Sequence, residues 1–175
     1  SLPLRSHLRP KYDVIENLIP EVRSPKLIIW PETPAPFNFK DDSFFQDQMK
    51  KLAKASHASL IFGFVDLRTA ASDSSPGPYN SVGILSPTGS FLSQYDKMHL
   101  VPFGEYVPLS WLFFFTEKVS NQIGEFQAGT KVVVSTLDSK RKVGTFICYE
   151  AVIPNLVRKF VAGGAEVLIN VTNDA

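Results

Sequence analysis

Cysteine is almost missing from this 175-residue chain, which has Cys148 and no other. A single thiol cannot close an internal disulfide or supply a cysteine-based zinc site, so packing has to hold the fold. A surplus of charge is missing too: 18 basic side chains face 17 acidic ones, for a net charge of +1. Without a basic excess to neutralise phosphates, a nucleic-acid partner is not expected. Long apolar runs are absent, none approaching the roughly 18 to 20 residues of a spanning helix, and nothing near Ser1 reads as a signal peptide. What remains is a globular composition, 44% hydrophobic and 20% charged, which excludes intrinsic disorder and can fill a core.

The ends suggest a piece of a larger domain. Ser1 is not an initiator methionine, and Ala175 follows a strand-like run, residues 166–172, with no closing element after it. Residues 1–24 carry three prolines and one short amphipathic stretch, and read as a leader matching no defined element; the domain proper is expected over 25–175.

Along that domain, Lys26 to Trp30 is a compact apolar run, a buried strand candidate ending at Pro31. Asp42 is placed as an N-cap ahead of Phe45, Met49, Leu52, Ala53 and Ser56, which recur at helical spacing with Lys50, Lys51 and Lys54 opposite. Ser59 to Leu67 is strand-like, and Tyr79–Leu85 and Phe91–Met98 flank a Pro/Gly turn as a hairpin. A second strand pair is expected over 131–137 and 142–148, then a helix over 150–161 tolerating Pro154 in its first turn, then a buried strand at 166–172. Helical crossovers alternating with hairpins imply an α/β layered sandwich with mixed sheets. Residues 99–130, rich in aromatics, proline and glycine without clean periodicity, read as a long functional loop.

Three positions could carry chemistry. Cys148 closes an apolar strand and leads into a helix, a strand-to-helix turn that exposes a side chain and aims N–H groups at it, favouring a thiolate and an adjacent oxyanion. Taken alone, a lone cysteine on an apolar strand is more often an inert core residue. Glu32 sits between Pro31 and Pro34 at another strand's carboxyl end, where loss of water would make it a usable base; a solvated turn glutamate is the plain alternative. Lys97 ends the hairpin strand, where an ammonium could stabilise an oxyanion, though a lysine there is more often surface charge.

Together these residues carry a resemblance. W-P-E-T at 30–33, Y-D-K-M-H-L-V-P-F-G-E-Y-V-P at 95–108 and C-Y-E at 148–150 resemble the Glu-Lys-Cys motifs of the nitrilase superfamily, and more narrowly those of its apolipoprotein N-acyltransferase branch. The resemblance implies a four-layer αββα sandwich, incomplete here at both ends. Cys148 would be the nucleophile, Glu32 the general base and Lys97 the oxyanion-stabilising cation, with Glu105 supporting the lysine. Glu150 matches the acyltransferase branch, where soluble amidases commonly carry aspartate. No metal or organic cofactor is required by this chemistry.

The acyl donor implied is a phospholipid, and the acceptor is the N-terminal amine of a diacylglyceryl-cysteine lipoprotein. The setting implied is the bacterial inner membrane, with the catalytic domain facing the periplasm. Leu109-Ser-Trp111-Leu112-Phe113-Phe114-Phe115 then reads as an exposed arm at the pocket mouth that meets the membrane surface. The rival enzyme is a soluble amidase, a C–N hydrolase that uses the same three residues with water as second nucleophile. A Cys148–His99 thiol protease would leave Glu32 and Lys97 without purpose, and an inactive fragment or scaffold is the non-enzyme alternative.

Overall fold

The computed structural model describes residues 25–32, 39–69, 76–101, 126–137 and 140–173. One sheet orders its strands β1 (Leu27–Ile29), β2 (Ser59–Arg68), β3 (Gly77–Leu85) and β4 (Phe91–Asp96); the other orders β5 (Val134–Thr136), β6 (Lys142–Ile147) and β7 (Val167–Val171). β1 and β2 are parallel and joined through helix α1 (Ser43–Ser56). β6 and β7 are parallel and joined through a 3-10 turn (Cys148–Val152) and helix α2 (Pro154–Ala162). The remaining neighbours pair antiparallel, giving the mixed sheets that the alternation of crossovers and hairpins requires.

Local chemistry sets the limits of α1. The Asp42 carboxylate accepts the Phe45 N–H at 3.0 Å and satisfies a donor that the first turn leaves free. At the other end His57 adopts a left-handed conformation, φ 51°, and returns its N–H to the helix carbonyls. Phe45, Met49, Leu52, Ala53 and Ser56 form the buried stripe. Phe45, Met49, Leu52 and Ala53 meet Leu60, Phe62 and Phe64 of β2 and Leu85 of β3 in one apolar layer, where each fully buried large apolar side chain contributes about 1.5–3 kcal/mol.

Alternate residues of the same strands face a second layer. Ile61, Val82, Ile84 and Tyr95 pack with Val143, Phe146, Ile147, Ile169 and Val171 of the second sheet and with Leu156 and Phe160 of α2. Strands β2 and β3 are therefore covered on both faces, which explains their nearly unbroken burial. The odd residues of β4 follow this inner layer: Ser93 Oγ lies 2.5 Å from Ser135 Oγ in β5, and Tyr95 is in the shared core. Gln94 and Asp96 point to the other side.

Three sequence expectations need correction. The helix expected over 150–161 begins at Pro154, which occupies the first helical position because it has no N–H to lose there. The N–H groups after Cys148 belong to the tighter 3-10 turn, so no α-helix terminus abuts the thiol. The strand expected over 131–137 is three residues long, and β7 is buried only at Ile169 and Val171, with Val167, Leu168 and Asn170 exposed. Among the described residues no helix is long and apolar enough to cross a membrane. The leader 1–24, Glu105 and the segment 109–115 lie outside the described residues.

Candidate functional site

Glu32 stands just past β1. Trp30 N–H donates to Ile61 O at 2.8 Å, extending the parallel pairing beyond the strand, and Glu32 N–H reaches Thr172 O at 3.4 Å. Thr172 directly follows Val171, whose ladder partner is Ile147, the residue before Cys148. The ends of β1, β6 and β7 are thereby drawn to one place. The Glu32 side chain is 12% exposed, so the carboxylate is largely withdrawn from water.

Lys97 is the second member of this arrangement. The alternation that sends Ser93 and Tyr95 inward also sends Lys97 inward, and the residue is 1% exposed. Lysine on a solvated surface, the plain alternative, is thus excluded. A buried ammonium needs a carboxylate, and Lys97 Nζ lies 3.4 Å from Glu32 Oε1. The same oxygen accepts Asn80 Nδ2–H at 2.7 Å, while the Asn80 carbonyl accepts the Lys97 N–H at 2.8 Å. Asn80 therefore binds the acid by its side chain and the lysine by its backbone. The motifs do not single it out; the one signal for it in the sequence is a polar residue at an inward position of an otherwise apolar strand.

Cys148 follows β6 and is partly buried. Its φ is +53°, a left-handed conformation that costs a non-glycine residue about 1–2 kcal/mol. The chain must bend sharply there to leave the strand and enter the 3-10 turn, and the bend separates the thiol from the strand's own alternation.

Glu150 locks this bend to the lysine. It is 0% exposed and accepts four donors: Tyr95 Oη–H at 2.9 and 3.0 Å from its two oxygens, and the N–H groups of Met98 at 2.8 Å, His99 at 3.0 Å and Ile147 at 2.9 Å. One carboxylate thus joins the residue before the cysteine to the two residues after the lysine. Burial, then the Glu150 charge and hydrogen bond, push the Tyr95 phenol far above its ordinary range, so it remains a donor. In sequence Glu150 counts only as a mark of one branch of the family. His99, the partner a thiol protease would need, lies against Glu150, with Nδ1 3.7 Å from Oε1.

The structure therefore brings Glu32 and Lys97 into an ion pair and ties the Cys148 turn to the same strand ends. Among the described residues no cluster of three or more His, Cys, Asp or Glu could hold a metal ion.

Residues 10–175 match the carbon-nitrogen hydrolase family. The chain belongs to that family. Similar curated proteins include the apolipoprotein N-acyltransferases of Geobacter metallireducens, 38% identical over 151 residues (85% of this chain, 28% of the relative), and Rhizobium rhizogenes, 35% identical over 157 residues (87% and 29%). The chain thus spans less than a third of the length of these relatives. Among solved structures, Saccharomyces cerevisiae Nit3, a member of branch 10 of the nitrilase superfamily, superposes with TM-score 0.69 at 20% identity (98% of this chain, 60% of that one). A carbon-nitrogen hydrolase from Helicobacter pylori G27 gives 0.68 at 17% identity (96% and 55%). The fold is the α/β sandwich of the nitrilase superfamily.

Proposed function

We propose that this carbon-nitrogen hydrolase domain carries the acyl-transfer centre of an apolipoprotein N-acyltransferase, with Cys148 as nucleophile, Glu32 as proton acceptor and Lys97 as the cation that meets the oxyanion. The observation that carries the reading is the buried Lys97–Glu32 pair, held at strand ends tied through Glu150 to the left-handed turn at Cys148. The identity to proteins of that name supports the branch.

A free thiol, with a pKa of about 8.5, is mostly protonated at neutral pH, so Glu32 takes the Cys148 proton as sulfur attacks the ester carbonyl of a phospholipid. The new S–C bond leaves an oxyanion beside Lys97. Collapse breaks the ester C–O bond, and the proton held by Glu32 goes to the departing lysophospholipid oxygen. A thioester remains on Cys148. The α-amine of a diacylglyceryl-cysteine lipoprotein then attacks it; the C–N bond forms, the C–S bond breaks, and the amine's proton passes by way of Glu32 to the sulfur. Glu105 orients Lys97, and the segment from Trp111 to Phe115 brings the site to the membrane surface at the periplasmic side of the bacterial inner membrane.

The test withholds the amine. Full-length protein given phospholipid alone should accumulate an acyl mass on Cys148 that a lipoprotein amine discharges as amide, and Cys148→Ala should form neither product. Release of free fatty acid with no transfer to the amine would mean that water, not the amine, is the second nucleophile, and the domain would be a hydrolase instead.

A further inference from the structure

On the face of the first sheet turned away from Glu32, a charged cluster interrupts the apolar layer built by Leu60, Phe62 and Phe64. The next outward residue of β2 is Asp66, 0% exposed, whose Oδ2 accepts Lys40 Nζ at 2.8 Å, Arg68 Nε at 2.7 Å and Gln94 Nε2 at 2.8 Å. Arg68 reaches on to Asp96, Nη2 to Oδ2 at 2.6 Å, and its guanidinium lies 3.9 Å from the centroid of the Tyr79 ring. Asp96 Oδ1 accepts Ser81 Oγ at 2.8 Å and Gln94 Nε2 at 2.7 Å. Both carboxylate oxygens of Asp96 are thus engaged, by side chains from other strands as well as its own.

Two features argue that this cluster does more than stabilise. Desolvating two carboxylates and a guanidinium costs about what their attraction returns, so apolar side chains continuing the Phe62–Phe64 row would serve stability as well. The cluster also stands one peptide bond behind Lys97, at the point where the β3–β4 ladder ends with Ser81 opposite Asp96. Past that pair the Lys97 N–H still donates to Asn80 O of β3 at 2.8 Å. The chain at Asp96 and Lys97 is also gripped on its other edge: Gly129 N–H donates to Lys97 O at 2.8 Å, and a Cβ at Gly129 would stand 2.3 Å from Asp96 O. Only glycine allows so close an approach.

We infer that Asp96, held by Arg68, is a positioning residue for Lys97: the outward carboxylate anchors the strand end so that the inward ammonium stays on Glu32. The inference rests on the Glu-Lys-Cys reading above, because it assigns a function to the lysine's position. A shift of about 1 Å in a group of this kind costs on the order of 100-fold in rate, so a clamp at this peptide has leverage.

The test uses full-length protein and two readouts, the iodoacetamide alkylation rate of Cys148 at pH 7, which follows its thiolate character, and the split of acyl transfer into kcat and KM. Asp96→Asn keeps the shape and removes the charge that holds Arg68. It should lower alkylation and kcat by about 10- to 100-fold while KM for the acyl donor changes less than about 2-fold. Asp96→Glu should recover part of the loss. If Asp96→Asn does not fold, Arg68→Lys, which keeps the charge but loses the fork joining Asp66 to Asp96, should lower both rates in the same way. Wild-type rates in whichever variant folds, accompanied only by a lower unfolding midpoint, would overturn the positioning role. A wild-type thiol that alkylates no faster than free cysteine would overturn the Glu-Lys-Cys reading itself, a result distinguishable from the first.

Discussion

Asn80 donates its side-chain amide to the Glu32 oxygen that also faces Lys97, at 2.7 Å against 3.4 Å for the ammonium. The shorter contact is the neutral one, and it comes from a residue 4% exposed in the middle of a sheet. Among the described residues both of these donors meet Oε1, which suits the proposed role of Glu32 as proton acceptor through its other oxygen. A hydrogen bond to a charged group contributes about 1.5–3 kcal/mol, so Asn80→Ala should lower kcat/KM by roughly 10- to 100-fold. Asn80→Asp should be worse, since it puts a second negative charge against Glu32. Steady-state kinetics on the two variants check this; equal and small losses would mean that Glu32 is oriented by Lys97 alone.

Glu150 offers a different kind of dependence. Its four donors come from β4, the segment after it and the end of β6, so the carboxylate acts as a joint between sheets. Glu150→Gln replaces one acceptor oxygen with a donor and must leave at least one buried N–H or O–H facing another donor. Losing the charge as well, the variant should be destabilised by about 2–4 kcal/mol. Urea unfolding measures that cost. Acyl transfer at a temperature where the variant is still folded should also fall, because Met98 and His99 follow the lysine directly.

The elements built on local chemistry are legible in the sequence itself. Asp42 and the Phe45–Met49–Leu52 stripe belong to one helix and its cap, so capping residue and periodicity announce it together. The sequence also places Lys97 at a strand end, but whether it points inward depends on which face of β4 meets the second sheet, and no neighbour in sequence records that. Asn80 and Glu150 are hidden for a related reason. Asn80 meets its acid 48 residues away, and the donors that Glu150 collects from β4 and beyond lie 51 to 55 residues earlier in the chain. The helix after Cys148 starts later than propensity suggests because Glu150, a good helix former, turns its side chain back to the Ile147 N–H and holds a 3-10 turn.

Acid should release the cluster behind Lys97. Burial alone would raise the Asp66 carboxyl, but hydrogen bonds from Lys40, Gln94 and Arg68 outweigh it and hold the group below its ordinary value. A carboxyl lowered on folding adds stability that is complete above its unfolded value, about 3.9, and is lost as pH falls through the folded one. Asp66→Asn should therefore cost about 3 kcal/mol at pH 7, with the gap to wild type narrowing below about pH 4. Urea midpoints at pH 7, 4 and 3 on both proteins would show it; a gap that stays constant in acid would mean that the Asp66 charge is not what the cluster relies on.

For the segment outside the described residues the expectation is functional selectivity. If Trp111 to Phe115 meet lipid, replacing Phe113, Phe114 and Phe115 with serine should depress transfer from bilayer phospholipid far more than reaction with a short water-soluble thioester. Equal loss on both substrates would assign the aromatics to the core.

Cys148 allows strain to be weighed against chemistry at a single position. Its left-handed backbone costs about 1–2 kcal/mol for any side chain with a Cβ, and glycine escapes that cost while losing about 0.5–1 kcal/mol through its freer unfolded chain. Cys148→Gly and Cys148→Ala both remove the sulfur, so both should be inactive, but the glycine variant should be the more stable by roughly 0.5–1 kcal/mol. The comparison isolates the backbone because neither side chain can bond to Glu32 or Lys97. Urea unfolding of the pair decides it. If alanine is as stable as glycine, the turn accommodates a Cβ without strain, and the bend at Cys148 is held by its surroundings at no energetic cost. If glycine is more stable, the protein keeps a costly conformation at Cys148, as a position retained for its proposed thiol chemistry would.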